Sequence, residues 1–62
     1  MLEKYLNKNV RIMDIDGIEI EGHVETYTPE IDSENEVEEI AVKTNKGLVG
    51  ITRDEIKSID IQ

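Results

Sequence analysis

The chain has 62 residues, and its 15 acidic and 7 basic side chains give a net charge of −8 at neutral pH. A chain of this length fits one small domain, and its acidity disfavours binding to nucleic-acid phosphates and to anionic membranes. The absence of cysteine excludes disulfide bonds and thiolate metal sites.

The first residues predict a short helix that docks against the rest of the domain. Apolar side chains follow a helical spacing at Met1, Leu2, Tyr5 and Leu6. Such a short segment is not stable as an isolated helix, so it needs contacts with the remainder of the chain. The beginning of the chain lacks the apolar stretch of a signal peptide, and no later segment could cross a bilayer. We therefore expect a cytoplasmic protein with no membrane partner.

A two-residue alternation then predicts a β-hairpin. Aromatic residues make up only 3% of the chain, so the core must consist mainly of isoleucine and valine, which favour strands. Val10 and Ile12 mark a first strand that ends at Asp16-Gly17, a dipeptide typical of hairpin turns. Residues 18–28 then form a second strand with one apolar and one polar face.

Gly22 lies on the apolar face of the second strand, near its middle. A glycine at such a position allows a sharp bend, and a bent strand lets a short sheet curl into a barrel. The same alternation places Tyr27 on the outer face, at the mouth of the following loop.

Residues 29–38 predict a solvated loop. Pro29 interrupts the strand, and the segment carries five acids, which are Glu30, Asp32, Glu34, Glu36 and Glu38. Because these acids alternate with other residues, either neighbouring strand could instead extend into the segment as a protruding hairpin.

The remaining pattern predicts three further strands. The elements are a third strand marked by Ile40, Val42 and Thr44, a turn at residues 45–47, a fourth strand at residues 48–52, a 3₁₀ turn at residues 53–56 and a fifth strand marked by Ile59 and Ile61. The predicted fold class is therefore all-β: a small five-stranded SH3-like barrel with a short N-terminal helix.

The element order, together with the segments VRIMDIDGIEIEGHV (residues 10–24) and ITRDEIKSI (residues 51–59), resembles the Sm-like (LSm) family of small β-barrels. The resemblance covers nearly the whole chain and implies one Sm-like barrel domain over residues 1–62. It also implies association into rings through strand-to-strand pairing. The RNA-binding residues of that family are not matched. Thr52 and Arg53 occupy the positions where the family has Arg and Gly, and Thr28 occupies the position where it usually has Asp. The resemblance therefore implies the fold and not the RNA pocket.

Four residues are candidate contacts for a ligand or a partner. Tyr27 could stack on a base or anchor a partner, or it could simply pack, and Arg53 could place a cation nearby. Asp32 and Asn35 lie in the loop where the Sm-like family carries an Asp and an Asn, but at a different spacing.

The residues do not predict catalysis, a metal site or a cofactor. His23 is the only histidine, and neither cysteine nor a nearby serine is present to form a nucleophile and base pair with it. The hairpin segment partly matches a calcium loop, but aligning Gly17 at the sixth position puts Ile12 first and His23 twelfth, where oxygen ligands are needed. We predict a hairpin turn there, while the acids between Glu30 and Glu39 could collect a divalent cation weakly.

Three functions remain open. The leading hypothesis is a non-enzymatic Sm-like module that acts through protein–protein contact, including self-association into a homo-oligomer. The second is Sm-type RNA binding, which the net charge disfavours and in which a ring would gather Lys46, Arg53 and Lys57 around a pore. The third is an acidic mimic of nucleic acid that inhibits a DNA-binding protein, with side chains such as Glu19 and Glu21 imitating phosphates.

Overall fold

The computed structural model describes all 62 residues and shows five β-strands. The strands are β1 (Asn9–Asp14), β2 (Glu19–Thr28), β3 (Glu39–Thr44), β4 (Gly47–Thr52) and β5 (Ile56–Ile61). They form one antiparallel sheet in the order β4-β3-β2-β1-β5. The helical segments are three 3₁₀ turns at Leu2–Tyr5, Glu30–Asp32 and Arg53–Glu55, and none is long and apolar enough to cross a membrane. The predicted all-β class and the order of the elements are confirmed.

Strand β2 is the long central strand, and it uses a different half for each neighbour. Its first half pairs with β1, and its second half pairs with β3 from His23 onwards. Gly22 lies next to His23, where the pairing changes from β1 to β3. A Cβ atom added to Gly22 would lie only 2.2 Å from the carbonyl oxygen of Lys43. Only glycine therefore allows the two backbones to approach so closely, which explains why the position near the middle of this strand lacks a side chain.

The core lies on one face of the sheet, where cross-strand neighbours pack on each other. Ile12 stands opposite both Ile20 and Ile59, and Val42 stands opposite Val24. The buried apolar residues are Leu2, Val10, Ile12, Val24, Ile40, Val42 and Ile51. Burying each of these side chains contributes about 1.5 to 3 kcal/mol, but seven of them make a thin core.

A β-bulge in β2 changes which face Tyr27 occupies. Val24 pairs with Val42, but the next pair along the ladder is Thr26 with Ala41, so Glu25 is an extra residue. The extra residue reverses the alternation, and Tyr27 therefore packs against the core. The prediction that Tyr27 lies on the outer face is wrong for this reason.

A second bulge lies in β5, and this strand begins earlier in the chain than the sequence predicts. Ser58 pairs with Met13 and Ile56 pairs with Asp14, so Lys57 is the extra residue. Both Ile56 and Ile59 pack against the core as a result, although their spacing does not fit a regular strand.

The turns lie where the sequence predicts them. The Asp14 Oδ1 atom accepts hydrogen bonds from the backbone N–H groups of Asp16 and Ile18 at 2.9 and 2.8 Å, and Gly17 has a φ of 82°. This is a hairpin turn. Residues 29–38 form a loop, and the alternative of a protruding hairpin is wrong, because β2 ends at Thr28 and β3 begins only at Glu39.

The two ends of the sheet do not pair with each other. Strand β4 pairs only with β3 and β5 pairs only with β1, while the turn Arg53–Glu55 connects the two edge strands. The sheet is therefore not closed by a ladder of hydrogen bonds between its edge strands, and both edge strands keep one unpaired side.

Candidate functional site

The Glu38 carboxylate joins three separate parts of the fold. Its side chain is only 11% exposed. Its Oε1 atom accepts hydrogen bonds from the Met1 ammonium group at 2.8 Å, the Leu2 backbone N–H at 2.9 Å and the Tyr27 hydroxyl at 2.9 Å. The N-terminal turn, the end of β2 and the start of β3 are therefore held together by one carboxylate.

Local sequence explains how these groups meet. Glu38 immediately precedes β3. The two-residue alternation of the strand places it on the same face as Ile40 and Val42, so its side chain points inward. The bulge at Glu25 turns Tyr27 toward the same interior. The prediction that Glu38 is a solvated loop acid is wrong, because the alternation of β3 extends two residues further back and includes it.

Arg53 approaches the same carboxylate from the connection between β4 and β5. Its Nε atom lies 3.6 Å from Glu38 Oε2, and its backbone N–H donates a 2.8 Å hydrogen bond to the Glu38 carbonyl oxygen. The turn that begins at Arg53 is stabilised by a capping box, in which the Thr52 backbone N–H donates to Glu55 Oε1 at 3.0 Å. Arg53 remains half exposed and can still contact another molecule.

These contacts shift the pKa of two side chains. The hydrogen bond from the Met1 ammonium group, followed by that from the Leu2 backbone, lowers the pKa of Glu38 from 4.5 to about 2. The hydrogen bond to the Glu38 carboxylate is in turn the main reason that the pKa of Tyr27 is raised above 10.0. The pair is therefore a carboxylate and a neutral phenol at physiological pH.

The structure brings together two of the four candidate contact residues. Tyr27 and Arg53 both contact Glu38, so they belong to one cluster. Asp32 and Asn35 are exposed in the loop, and no hydrogen bond joins either side chain to that cluster. The Asn35 backbone N–H instead donates to the Ser33 hydroxyl at 3.3 Å.

Beside this cluster, a groove of about 580 Å³ lies between the N-terminal turn and the N-terminal part of β5; we call it the β5 groove. Its lining is half apolar and consists of Met1, Leu2, Lys4, Tyr5, Arg53, Asp54, Ile56, Lys57, Ser58 and Ile59. Three of the seven basic side chains of the chain line this groove, but only one of the fifteen acids does. The β5 groove is thus a cationic region on an acidic protein.

The opposite side of the sheet carries a cavity of about 650 Å³ that is mostly polar. Arg11 lies between two carboxylates there, with Nε 2.9 Å from Glu19 Oε2 and a terminal nitrogen 3.0 Å from Glu21 Oε2. These charges partly cancel, so this cavity has less electrostatic character than the β5 groove.

The remaining polar clusters do not converge on a reactive or metal-binding geometry. His23 Nδ1 lies 2.9 Å from Asn9 Oδ1, and His23 Nε2 lies 3.9 Å from Glu25. No group of three or more histidine, cysteine or acidic side chains is placed to hold a metal ion.

Comparison with known proteins identifies no relative. No protein-family model matches the chain, and no curated protein and no solved structure is significantly similar to it. Two features of the molecule itself indicate a function: the unpaired strand edges and the cationic β5 groove.

Proposed function

We propose that this chain is a non-enzymatic Sm-like barrel module that acts through protein–protein contact and associates with further copies of itself through its edge strands. The unpaired edge of β4 (Gly47–Thr52) carries this proposal. Monomeric proteins usually protect such edges with charged residues or proline. Strand β4 has the sequence GLVGIT and contains neither, although 35% of the chain is charged.

The side chains at both edges support the same proposal. Leu48 on β4 is 65% exposed and Ile61 on β5 is 54% exposed. Pairing β4 of one copy with β5 of another would satisfy the unpaired backbone groups and would bury these side chains. A domain with so small a core gains much from added burial at an interface.

The experiment compares the association state of three proteins by sedimentation and native mass measurement over a range of concentrations. The wild type should form oligomers. Leu48→Lys should shift the population to monomer, because strand pairing would place its charge in an apolar contact. Ile15→Lys is the matched control, since Ile15 is equally exposed at 63% but lies in the β1–β2 turn, and it should associate as the wild type does. A wild type that remains monomeric at high concentration would contradict the proposal.

RNA binding is the second candidate, and the cations of the β5 groove favour it. Lys4, Arg53 and Lys57 line the same groove as Tyr5, and the Lys4 ammonium nitrogen is 5.3 Å from the centre of the Tyr5 ring. Lys46, which the RNA hypothesis includes, lines the cavity on the other side. Titration with short U-rich and A-rich RNA at low salt tests this candidate, because phosphate contacts are strongest there; absence of binding rejects it.

The mimicry hypothesis has less support. Arg11 interrupts the row of carboxylates on β2 by pairing with Glu19 and Glu21, so the row does not present an uninterrupted set of negative charges. A mimic of a phosphate backbone requires such a set.

A further inference from the structure

The β5 groove contains cations that the molecule itself does not neutralise. Lys4 and Lys57 take part in no salt bridge, and Arg53 reaches Glu38 only at 3.6 Å. Five apolar residues line the same groove. Its occupant should therefore be an acidic segment that also carries an exposed apolar side chain.

The chain itself contains a segment of this kind. Residues 30–37 include four exposed acids, which are Glu30, Asp32, Glu34 and Glu36, and no basic residue. Ile31 lies among them and is 88% exposed, the highest value of any large apolar side chain in the molecule. We call residues 30–37 the acidic loop.

Within one molecule the acidic loop does not neutralise the groove. No salt bridge joins any of its acids to a basic side chain. Glu30 and Ile31 instead border a neighbouring cavity beside Tyr27, which shares Met1 and Arg53 with the β5 groove but contains neither Lys4 nor Lys57. A second copy can supply the missing negative charge.

The proposed strand contact brings the acidic loop and the groove together in only one orientation. The C-terminal end of the acidic loop is tied to the C-terminal end of β4, because Glu39 pairs with Thr52. The β5 groove includes the N-terminal part of β5, from Ile56 to Ile59. An antiparallel contact places the end of β4 of one copy beside the start of β5 of the other, and hence the loop beside the groove. A parallel contact would carry the loop to the opposite end, near Ile61.

We propose that the acidic loop of a second copy docks in the β5 groove, where its carboxylates pair with Lys4, Arg53 and Lys57 and the Ile31 side chain enters the apolar part. This proposal rests on the self-association proposed above and adds its orientation and its charge pairing. Charge complementarity makes the antiparallel strand contact more favourable than the parallel one, and it makes association sensitive to salt.

The test is a charge reversal with rescue, followed by sedimentation. The double variant Lys4→Glu/Lys57→Glu should weaken association at least tenfold, roughly, because like charges would face each other. Lys46→Glu is the control, since it reverses one lysine in the β3–β4 turn, outside the groove, with half the charge change of the double variant, and it should change association less than about twofold. A second variant, Asp32→Lys/Glu34→Lys, reverses two charges of the acidic loop. Mixing it with Lys4→Glu/Lys57→Glu, the groove variant, should restore association between the two proteins.

The outcomes separate this proposal from the one on which it rests. A wild type that stays monomeric overturns both. Another outcome is that association depends on Leu48 and yet changes equally little in Lys4→Glu/Lys57→Glu and in Lys46→Glu. That result overturns only the docking of the loop. Ile31→Ser provides a second measurement that involves no charge: weaker association supports the docking, whereas wild-type association contradicts it. Circular dichroism of each variant shows whether it is folded.

Discussion

The Tyr27 hydroxyl donates a 2.9 Å hydrogen bond to Oε1 of Glu38, and this contact connects a strand that bulges inward with a carboxylate that precedes the next strand. The same oxygen accepts hydrogen bonds from the Met1 ammonium group and the Leu2 backbone. One side chain therefore fixes the N-terminal turn against the sheet, and the N-terminal turn forms one wall of the β5 groove. Stability and the geometry of the candidate site are coupled through Glu38.

Replacing Glu38 with glutamine should destabilise the protein at neutral pH. The amide has no charge to balance the Met1 ammonium group, and only its single carbonyl oxygen can accept the hydrogen bonds. We expect thermal denaturation, followed by circular dichroism, to show a decrease in Tm of roughly 5 to 10 °C. Glu34→Gln is the control, because Glu34 is exposed in the same loop and should leave the Tm nearly unchanged. Equal Tm values for the two variants would contradict the role of Glu38.

Acid should remove the contribution of Glu38 to stability. Its pKa is lowered from 4.5 to about 2 in the folded protein, so the folded state binds this proton less readily than the unfolded state does. The contribution is therefore fully present above about pH 4.5 and is lost as the pH falls toward about 2. Denaturant titrations across this range should show that the difference between the wild type and Glu38→Gln shrinks as the pH falls. A constant difference would show that Glu38 does not hold its charge in this way.

Tyr27 should ionise at higher pH than an ordinary tyrosine. The hydrogen bond to the Glu38 carboxylate raises its pKa above 10.0, because ionisation would remove the proton that the carboxylate accepts. In a Tyr5→Phe background Tyr27 is the only tyrosine, so ultraviolet absorbance of the phenolate reports it alone. Adding Glu38→Gln should move the midpoint down toward 10. An unchanged midpoint would mean that the hydrogen bond does not form in solution.

The exposed ion pairs of Arg11 should matter much less. Arg11 contacts two carboxylates, but its side chain and those of Glu19 and Glu21 are all more than half exposed. Solvent and salt screen such pairs, so Arg11→Gln should shift the Tm by less than about 3 °C at physiological ionic strength. A larger decrease would indicate that the cluster supports the sheet. Repeating the measurement at high salt would show whether that support is electrostatic.

The regular parts of this fold follow directly from the sequence, because alternation and turn residues act locally. Asp16-Gly17 marks the first turn, and the alternation from Ile40 to Thr44 marks β3. The bulges at Glu25 and Lys57 do not follow, because each depends on how two strands align across the sheet.

The candidate site was correspondingly harder to predict. The chemistry of Tyr27 and Arg53 makes them candidate contact residues, but the bulge decides that Tyr27 points inward to Glu38. The sequence does not distinguish Glu38 from the other acids of the loop, although it lies on the core-facing side of β3. The β5 groove could not be predicted, since it joins residues from both ends of the chain through tertiary packing.

Gly22 should tolerate no side chain. A Cβ at this position would lie 2.2 Å from the Lys43 carbonyl oxygen, which belongs to the paired backbone of β3 and cannot move away without breaking the ladder. We expect Gly22→Ala to reduce the free energy of unfolding by about 2 to 3 kcal/mol, a large part of the stability of so small a domain.

Gly50→Ala is the control for this substitution. Its Cβ would lie 3.1 Å from a carboxylate oxygen of Glu39, and that oxygen is the end of a flexible side chain that can rotate away. Urea denaturation should show a change below about 1 kcal/mol for Gly50→Ala. If both substitutions lower the free energy of unfolding equally, the cause is the replacement of a strand glycine by alanine and not the close contact at Gly22. A much larger effect at Gly22 would show that the close approach of β2 and β3 requires glycine.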